Sequence, residues 1–279
     1  MDIITLSQHL VSEETAAEFL RAKGILKIFT HCPYCYSVRI HIVRRNKYKC
    51  YACHREWSQR RDSILEHHRI PMSKFVWALK IFELEVPVLR AVSELGLAYN
   101  TIHHLFTLFR QQIYAFVTQD ELLAGEIEAD ESYFGGKRKG KRGRGAANKT
   151  PVFGILERNG KVKVEIVQDV KAETLLRETI RKVKRGSLVY TDRFRSYDGL
   201  VAYGFRHERI DHAQHFVNGK VYINGIEGFW SYAKGKLLKF HGLSTKLFPY
   251  YLRELEFRYN YRHKDLFDLL LDILASGSY

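Results

Sequence analysis

The segment SLVYTDRF, residues 187–194, is apolar and β-branched up to Thr191 and then ends on a carboxylate, Asp192. A second strand-like stretch, EIEADE at 126–131, spaces Glu126, Glu128 and Asp130 two residues apart, the period that puts alternate side chains on one face of a strand. Downstream, INGIEGFWSYAKGKLLKF is helical in pattern: Ile226, Phe229 and Trp230 are apolar, Glu227 lies among them, and Lys234 follows two turns later on the face of Glu227. Two carboxylates at strand tips and a third on a packed helix can share two divalent cations about 3.5–4 Å apart, which stabilise the attacking and leaving oxygens of an in-line phosphoryl displacement. Carboxylate oxygens suit Mg²⁺, with Mn²⁺ as a possible substitute. Singly, Asp192 is better read as a turn cap and Glu227 as a solvated helix residue. Together, with Lys234, Asp130, Asp192 and Glu227 favour a metal site.

A different metal chemistry is written near the N-terminus. Cys32 and Cys35 form one Cys-x2-Cys pair, and Cys50 and Cys53 a second. Two tight pairs separated by a hairpin's length let four thiolates converge on one zinc. Four thiolates leave no open position, so this zinc is expected to be structural. His31, His41 and His54 lie nearby and are read as surface residues.

The elements that position these groups follow from periodicity. Residues 1–30 read as an N-terminal helical segment and 31–60 as a zinc ribbon. Residues 61–120 are helical, broken at Gly96, with a second helix starting near Tyr99. That break predicts a helix-turn-helix-like DNA-binding region offering Tyr99, Asn100, His103 and His104 to a groove. From 121 to 279 the expected fold is α/β: three consecutive strands, a helix and a fourth strand, the opening order of an RNase H-like domain. Between the first two strands, 135–149 holds seven basic residues, and Lys137, Arg138, Lys139, Lys141, Arg142 and Arg144 make the 137–149 loop a candidate phosphate-binding element. His212 and His215 precede the candidate catalytic helix, and YYLRELEFRYNYRH reads as a helix with a core face and a DNA-facing edge.

The 279 residues carry a formal net charge of +14 and 46% hydrophobic content, enough for a core and suggestive of a polyanionic partner. No run reaches the roughly 18 apolar residues of a membrane helix, so a cytoplasmic, nucleoid-associated protein is expected, or a nuclear one in a eukaryotic host.

At EADESYFGG, VYTDRFRSY, NGIEGFWSYAKGKL and YLRELEFRYNYRHKD the chain resembles the DDE transposases of ISXO-type insertion sequences and their Merlin relatives. The resemblance covers nearly the whole chain, in the order zinc ribbon, helical region, catalytic domain. It implies that Asp130, Asp192 and Glu227 are the metal triad and Lys234 the downstream basic residue. Some members of the family use Asn as third ligand, which makes Asn224, one turn before Glu227, the competing choice; the charged carboxylate binds Mg²⁺ better. Tyr36 stands where a glycine often follows the second cysteine. The resemblance further implies binding to double-stranded DNA, at terminal inverted repeats and target, by at least a homodimer, with cleavage followed by strand transfer. The rival readings are a zinc-ribbon DNA-binding protein with a relic catalytic domain, and an RNase H-like nuclease that cuts without joining.

Overall fold

The computed structural model describes residues 1–44, 47–119, 121–135, 149–192, 199–209, 222–240 and 243–277. Two units emerge, Met1–Phe116 with His263–Tyr279, and Val117–Arg262.

In the first unit, helices α1 (Ile3–His9) and α2 (Glu13–Ala22) are started by side-chain caps, Asp2 to Thr5 N–H and a Ser12/Thr15 capping box. Three antiparallel strands follow, β1 (Ile40–Val43), β2 (Lys47–Cys50) and β3 (Glu56–Ser58). The third strand was not expected. It pairs Trp57 with Tyr48, whose rings stack at 5.7 Å to close the small core beneath Cys32 and Cys50. The helical region begins later than the periodicity suggested, with α3 (Met72–Glu83), then α4 (Val88–Leu95) and α5 (Tyr99–Val117). Gly96 ends α4 at φ 57°, a left-handed cap that glycine adopts without a Cβ penalty. The last helix, α9 (Leu266–Ser276), belongs to this unit and not with the strands that precede it. Its apolar stripe Phe267, Leu270, Leu271 and Leu274 is buried, with the Lys80 ammonium of α3 5.1 Å from the Phe267 ring.

The second unit is built on a five-stranded sheet. Strands β4 (Glu126–Phe134), β5 (Thr150–Glu157) and β6 (Val162–Ile166) run antiparallel in sequence. Helix α6 (Ala172–Lys182) then crosses to β7 (Leu188–Thr191), parallel to β4, and β8 (Arg206–Arg209) adds parallel to β7. The sheet order is β6-β5-β4-β7-β8, so β4 is central. The first four strands and α6 are as the sequence pattern indicated; β8 is additional. On one face Ile127, Ala129, Phe153, Ile155 and Val189 pack with Leu175 of α6. On the other, Val152, Leu156, Val164 and Tyr190 pack beneath α7 (Asn224–Leu237) and α8 (Phe248–Asn260).

Helix α8 also seals the sheet's β6 edge. Asn260 exchanges two hydrogen bonds with the backbone of Val162, and Glu256 accepts from Val164 N–H. Residues four apart on a helix and two apart on a strand advance by similar distances, about 6.0 and 6.6–6.8 Å, so one helix can cap alternate edge groups. This corrects the DNA-facing edge expected for the helix: Arg253, Glu254, Glu256 and Arg258 are all buried. They pair internally, Arg253 with Glu256 at 2.6 Å and Arg258 with Glu254 at 2.8 Å. Burial pushes the Glu256 carboxyl above its usual range, and the Arg253 charge works against that rise.

Candidate active site

The ladder between β4 and β7 brings two of the predicted acids together. Glu126 pairs with Leu188 and Glu128 with Tyr190 in parallel register. Carried two residues further, that register sets Asp192, the residue after β7, beside Asp130. Side chains paired in a parallel ladder share a face, here the face that α7 covers.

Helix α7 delivers the third acid. The Trp230 indole N–H donates to Asp130 Oδ2 at 3.1 Å, and the Ile226 backbone N–H donates to Glu128 Oε2 at 2.9 Å. Glu227 lies in the first turn of α7 with its side chain exposed, and Asn224 is the first residue of the helix. The Asp130 carboxyl is pushed up to about 6, first by burial and then by the like charges of Asp192 and Glu227. The Glu131 N–H and the Trp230 indole pull it back only in part. Lys234 is exposed on the same helix, its ammonium 5.9 Å from the Phe134 ring at the far end of β4. The donor chemistry fits a hard divalent cation: oxygen ligands only, on a face where negative charge is left in excess.

Two glycines make this docking possible. Gly154 is the ladder partner of Asp130, and a Cβ there would stand 2.4 Å from the Trp230 ring. Gly225 is as tightly placed, since its Cβ would meet Glu128 Oε2 at 2.8 Å. Sequence reasoning missed Gly154, Arg158 and Trp230 as parts of the site. The available signal was a lone glycine inside a strand, which marks a close approach by another group.

The cysteine quartet stands apart from this face in chemistry. All four sulfurs lie within 4.8 Å of one another, with Cys32–Cys53 and Cys35–Cys50 each at 3.6 Å. Zn–S bonds of about 2.3 Å give a tetrahedral edge of roughly 3.8 Å, so the quartet fits zinc. Among the described residues no other group of three or more His, Cys, Asp or Glu is so tight. The two pairs are built alike. Tyr34 and Ala52 N–H groups donate to Cys32 and Cys50 sulfur at 3.4 Å, and the residues after each pair, Tyr36 and His54, have φ of 58° and 59°. Tyr36 therefore occupies a left-handed position where glycine is at ease. His31, His41 and His54 are exposed, as expected.

Asn100 is exposed in the first turn of α5, and His103 stacks on Tyr99 at 5.9 Å between ring centres. Lys137, Arg138, Lys139, Lys141, Arg142, Arg144, His212 and His215 lie outside the described residues.

The sequence model of a family described as the ISXO2-like transposase domain matches residues 122–260. A transposase-like protein of Haemophilus influenzae is 48% identical over 100 residues, covering 36% of this chain and 81% of that protein. The chain belongs to the ISXO2-like transposase family. A protein in transposable element ISH50 of Halobacterium salinarum is 28% identical, over 89% of this chain and 91% of its own length. Among solved structures, the Mos1 strand transfer complex aligns at 11% identity over 72% of this chain and 73% of its own, with a TM-score of 0.29. Within this ISXO2-like transposase domain lie Asp130 of β4, Asp192 directly after β7, and Glu227 of α7. Among the described residues no helix is long and apolar enough to cross a membrane.

The raised Asp130 carboxyl has a consequence for stability. Its folded value of about 6 exceeds the ordinary 3.8, so its contribution is fully present below the unfolded value and is lost as pH rises through about 6. In chelator at pH 7.5 the charged Asp130 should cost the domain roughly 3 kcal/mol. Asp130→Asn should therefore melt several degrees higher than wild type at pH 7.5, and the gap should shrink at pH 5. An equal gap at both pH values would place the proton elsewhere.

Proposed function

We propose that the chain is an insertion-sequence transposase whose active site is Asp130, Asp192 and Glu227. The observation that carries this reading is the parallel register of β4 and β7, which sets Asp130 beside Asp192 on the sheet face covered by α7, the helix that bears Glu227 and whose Trp230 donates to Asp130. It is supported by the sheet order, which agrees with an RNase H-like catalytic domain, and by membership of the transposase family.

Two Mg²⁺ ions, replaceable by Mn²⁺, would be held by the three carboxylates and would supply Lewis acidity at the scissile phosphate. The protein's own part is to orient the acids and bind DNA. Trp230 holds Asp130 in one orientation, α7 presents Glu227, and Lys234 offers a cation to a phosphate on the DNA strand. Water attack would cut the transposon end, and the freed 3′-hydroxyl would attack target DNA in the same site. Double-stranded DNA would be bound at terminal inverted repeats by a zinc ribbon built on Cys32, Cys35, Cys50 and Cys53 and by Asn100 and His103 of α5. Two ends need two active sites, so a homodimer or larger assembly on DNA is the working form.

Incubating the protein with Mg²⁺ and the element's flanking DNA, then mapping the ends, tests the reading. Cuts at the element boundary followed by joined products are expected. Cutting without joining of a pre-cleaved end would make the chain a nuclease, and no cutting in Mg²⁺ or Mn²⁺ a DNA-binding relic.

The 137–149 loop is proposed to contact phosphates without sequence preference. Neutralising Lys137, Arg138, Lys139, Lys141, Arg142 and Arg144 should weaken binding to all duplexes alike. Each lost contact should lower the slope of log affinity against log salt by about 0.9. An unchanged slope would return the loop to solvent.

A further inference from the structure

We infer that Glu128, held by Arg158, is the positioning residue that sets where α7 begins, and through it where Glu227 stands relative to Asp130. The inference rests on the DDE reading of the site and assigns a different task to the acid two residues before Asp130. Glu128 is 1% exposed, and both its oxygens are engaged by the protein. Oε2 accepts the Ile226 N–H at 2.9 Å, and Oε1 accepts Arg158 Nε at 3.1 Å. A carboxylate at the first turn of a helix satisfies an N–H that has no partner within the helix and meets the positive end of its dipole.

Arg158 ties this contact to the chain on either side. Its guanidinium donates to Glu126 Oε2 and to the Tyr222 carbonyl, each at 2.6 Å, and lies 3.8 Å from the Tyr190 ring and 4.0 Å from that of Tyr222. Tyr222 stands two residues before α7, so one arginine holds both the acid and the approach to the helix. Glu128–Ile226 and Asp130–Trp230 then form two rungs. The rungs are about 6.6–6.8 Å apart along the strand and about 6 Å apart along the helix. The two rungs set the height of α7 along β4, while its buried stripe Ile226, Phe229, Trp230 and Ala233 sets its rotation. Glu227, one residue beyond Ile226, keeps only its own side-chain torsions.

The test uses the full chain with Glu128→Gln, which keeps shape and an acceptor, and Asp130→Asn as control. Mn²⁺ binding is read by electron paramagnetic resonance without DNA, and cleavage of transposon ends at graded Mg²⁺. Glu128→Gln should weaken Mn²⁺ binding about tenfold, raise the Mg²⁺ needed for half-maximal cleavage by a similar factor, and recover near wild-type rate at saturating Mg²⁺. Asp130→Asn should not recover at any concentration. Should Glu128→Gln fail to fold, Arg158→Lys, which keeps the charge and loses the planar fork, carries the same readouts. An unchanged metal dependence, beside an inactive Asp130→Asn, overturns the inference alone. Irreversible loss in Glu128→Gln also overturns it, by making Glu128 a ligand. Cleavage by Asp130→Asn at wild-type level overturns the proposed function itself.

Discussion

Glu227→Gln should leave the protein folded and bound to DNA ends while cleavage and joining both fall on the order of 10³-fold or more. The side chain is exposed in the first turn of α7 and makes no packing contribution that glutamine would lose. What it loses is a charge at a face already shared with Asp130 and Asp192. Cation binding there depends on summed negative charge, and transition-state charge on the phosphate depends on the cations. Asp130→Asn and Asp192→Asn should match it, and combining the variants should add little, because a shared site fails when any ligand goes. Asn224→Ala should cost far less, since that residue is only the exposed start of the helix. The measurement is single-turnover cleavage and strand transfer over a Mg²⁺ series. A cutting Glu227→Gln beside a dead Asn224→Ala would end the triad on asparagine.

Cys50→Ser should remove zinc from the protein and abolish ordered structure around β1, β2 and β3, with end binding lost as a consequence. The sheet has three strands of four, four and three residues, and its core is little more than Cys32, Tyr48, Cys50, Trp57 and their neighbours. So little apolar surface does not offset the entropy of ordering the segment, whereas structural zinc contributes about 10–16 kcal/mol in zinc-finger peptides. Elemental analysis should find about one zinc per wild-type chain and none in the variant. The Trp57 emission should shift toward that of a solvated indole. Residues 117–262 should keep their own unfolding transition, because the sheet and its two faces of core contain no cysteine. A zinc-free wild-type protein that still binds transposon ends would remove the basis for this expectation.

Local chemistry made the cysteine quartet and the strands legible from the amino acids. Paired cysteines carry their own geometry, since two residues between thiols suffice for one turn of backbone to aim both at a metal. Alternation in EIEADE and the apolar run of SLVYT state the strand and its face without outside help. The acids were visible only as a set with Lys234: Asp192 alone reads as a turn cap, and Asp130, expected at a strand tip, lies in the middle of β4 because the strand continues to Phe134. Less was legible where a residue's role depends on a partner far along the chain. Nothing local says that Gly154 lies under Trp230, that Arg158 holds Glu128, or that Asn260 and Glu256 close the β6 edge. The charged helix 248–260 shows the same limit: its arginines read as a DNA-facing edge until the fold buried them against glutamates three and four residues away. The sequence by itself determined which side chains are available, their period and hence the face each takes within its own element. Tertiary structure alone decided the register between elements, because the position of α7 along β4 rests on two hydrogen bonds between residues about a hundred positions apart, and no periodicity within either segment encodes it.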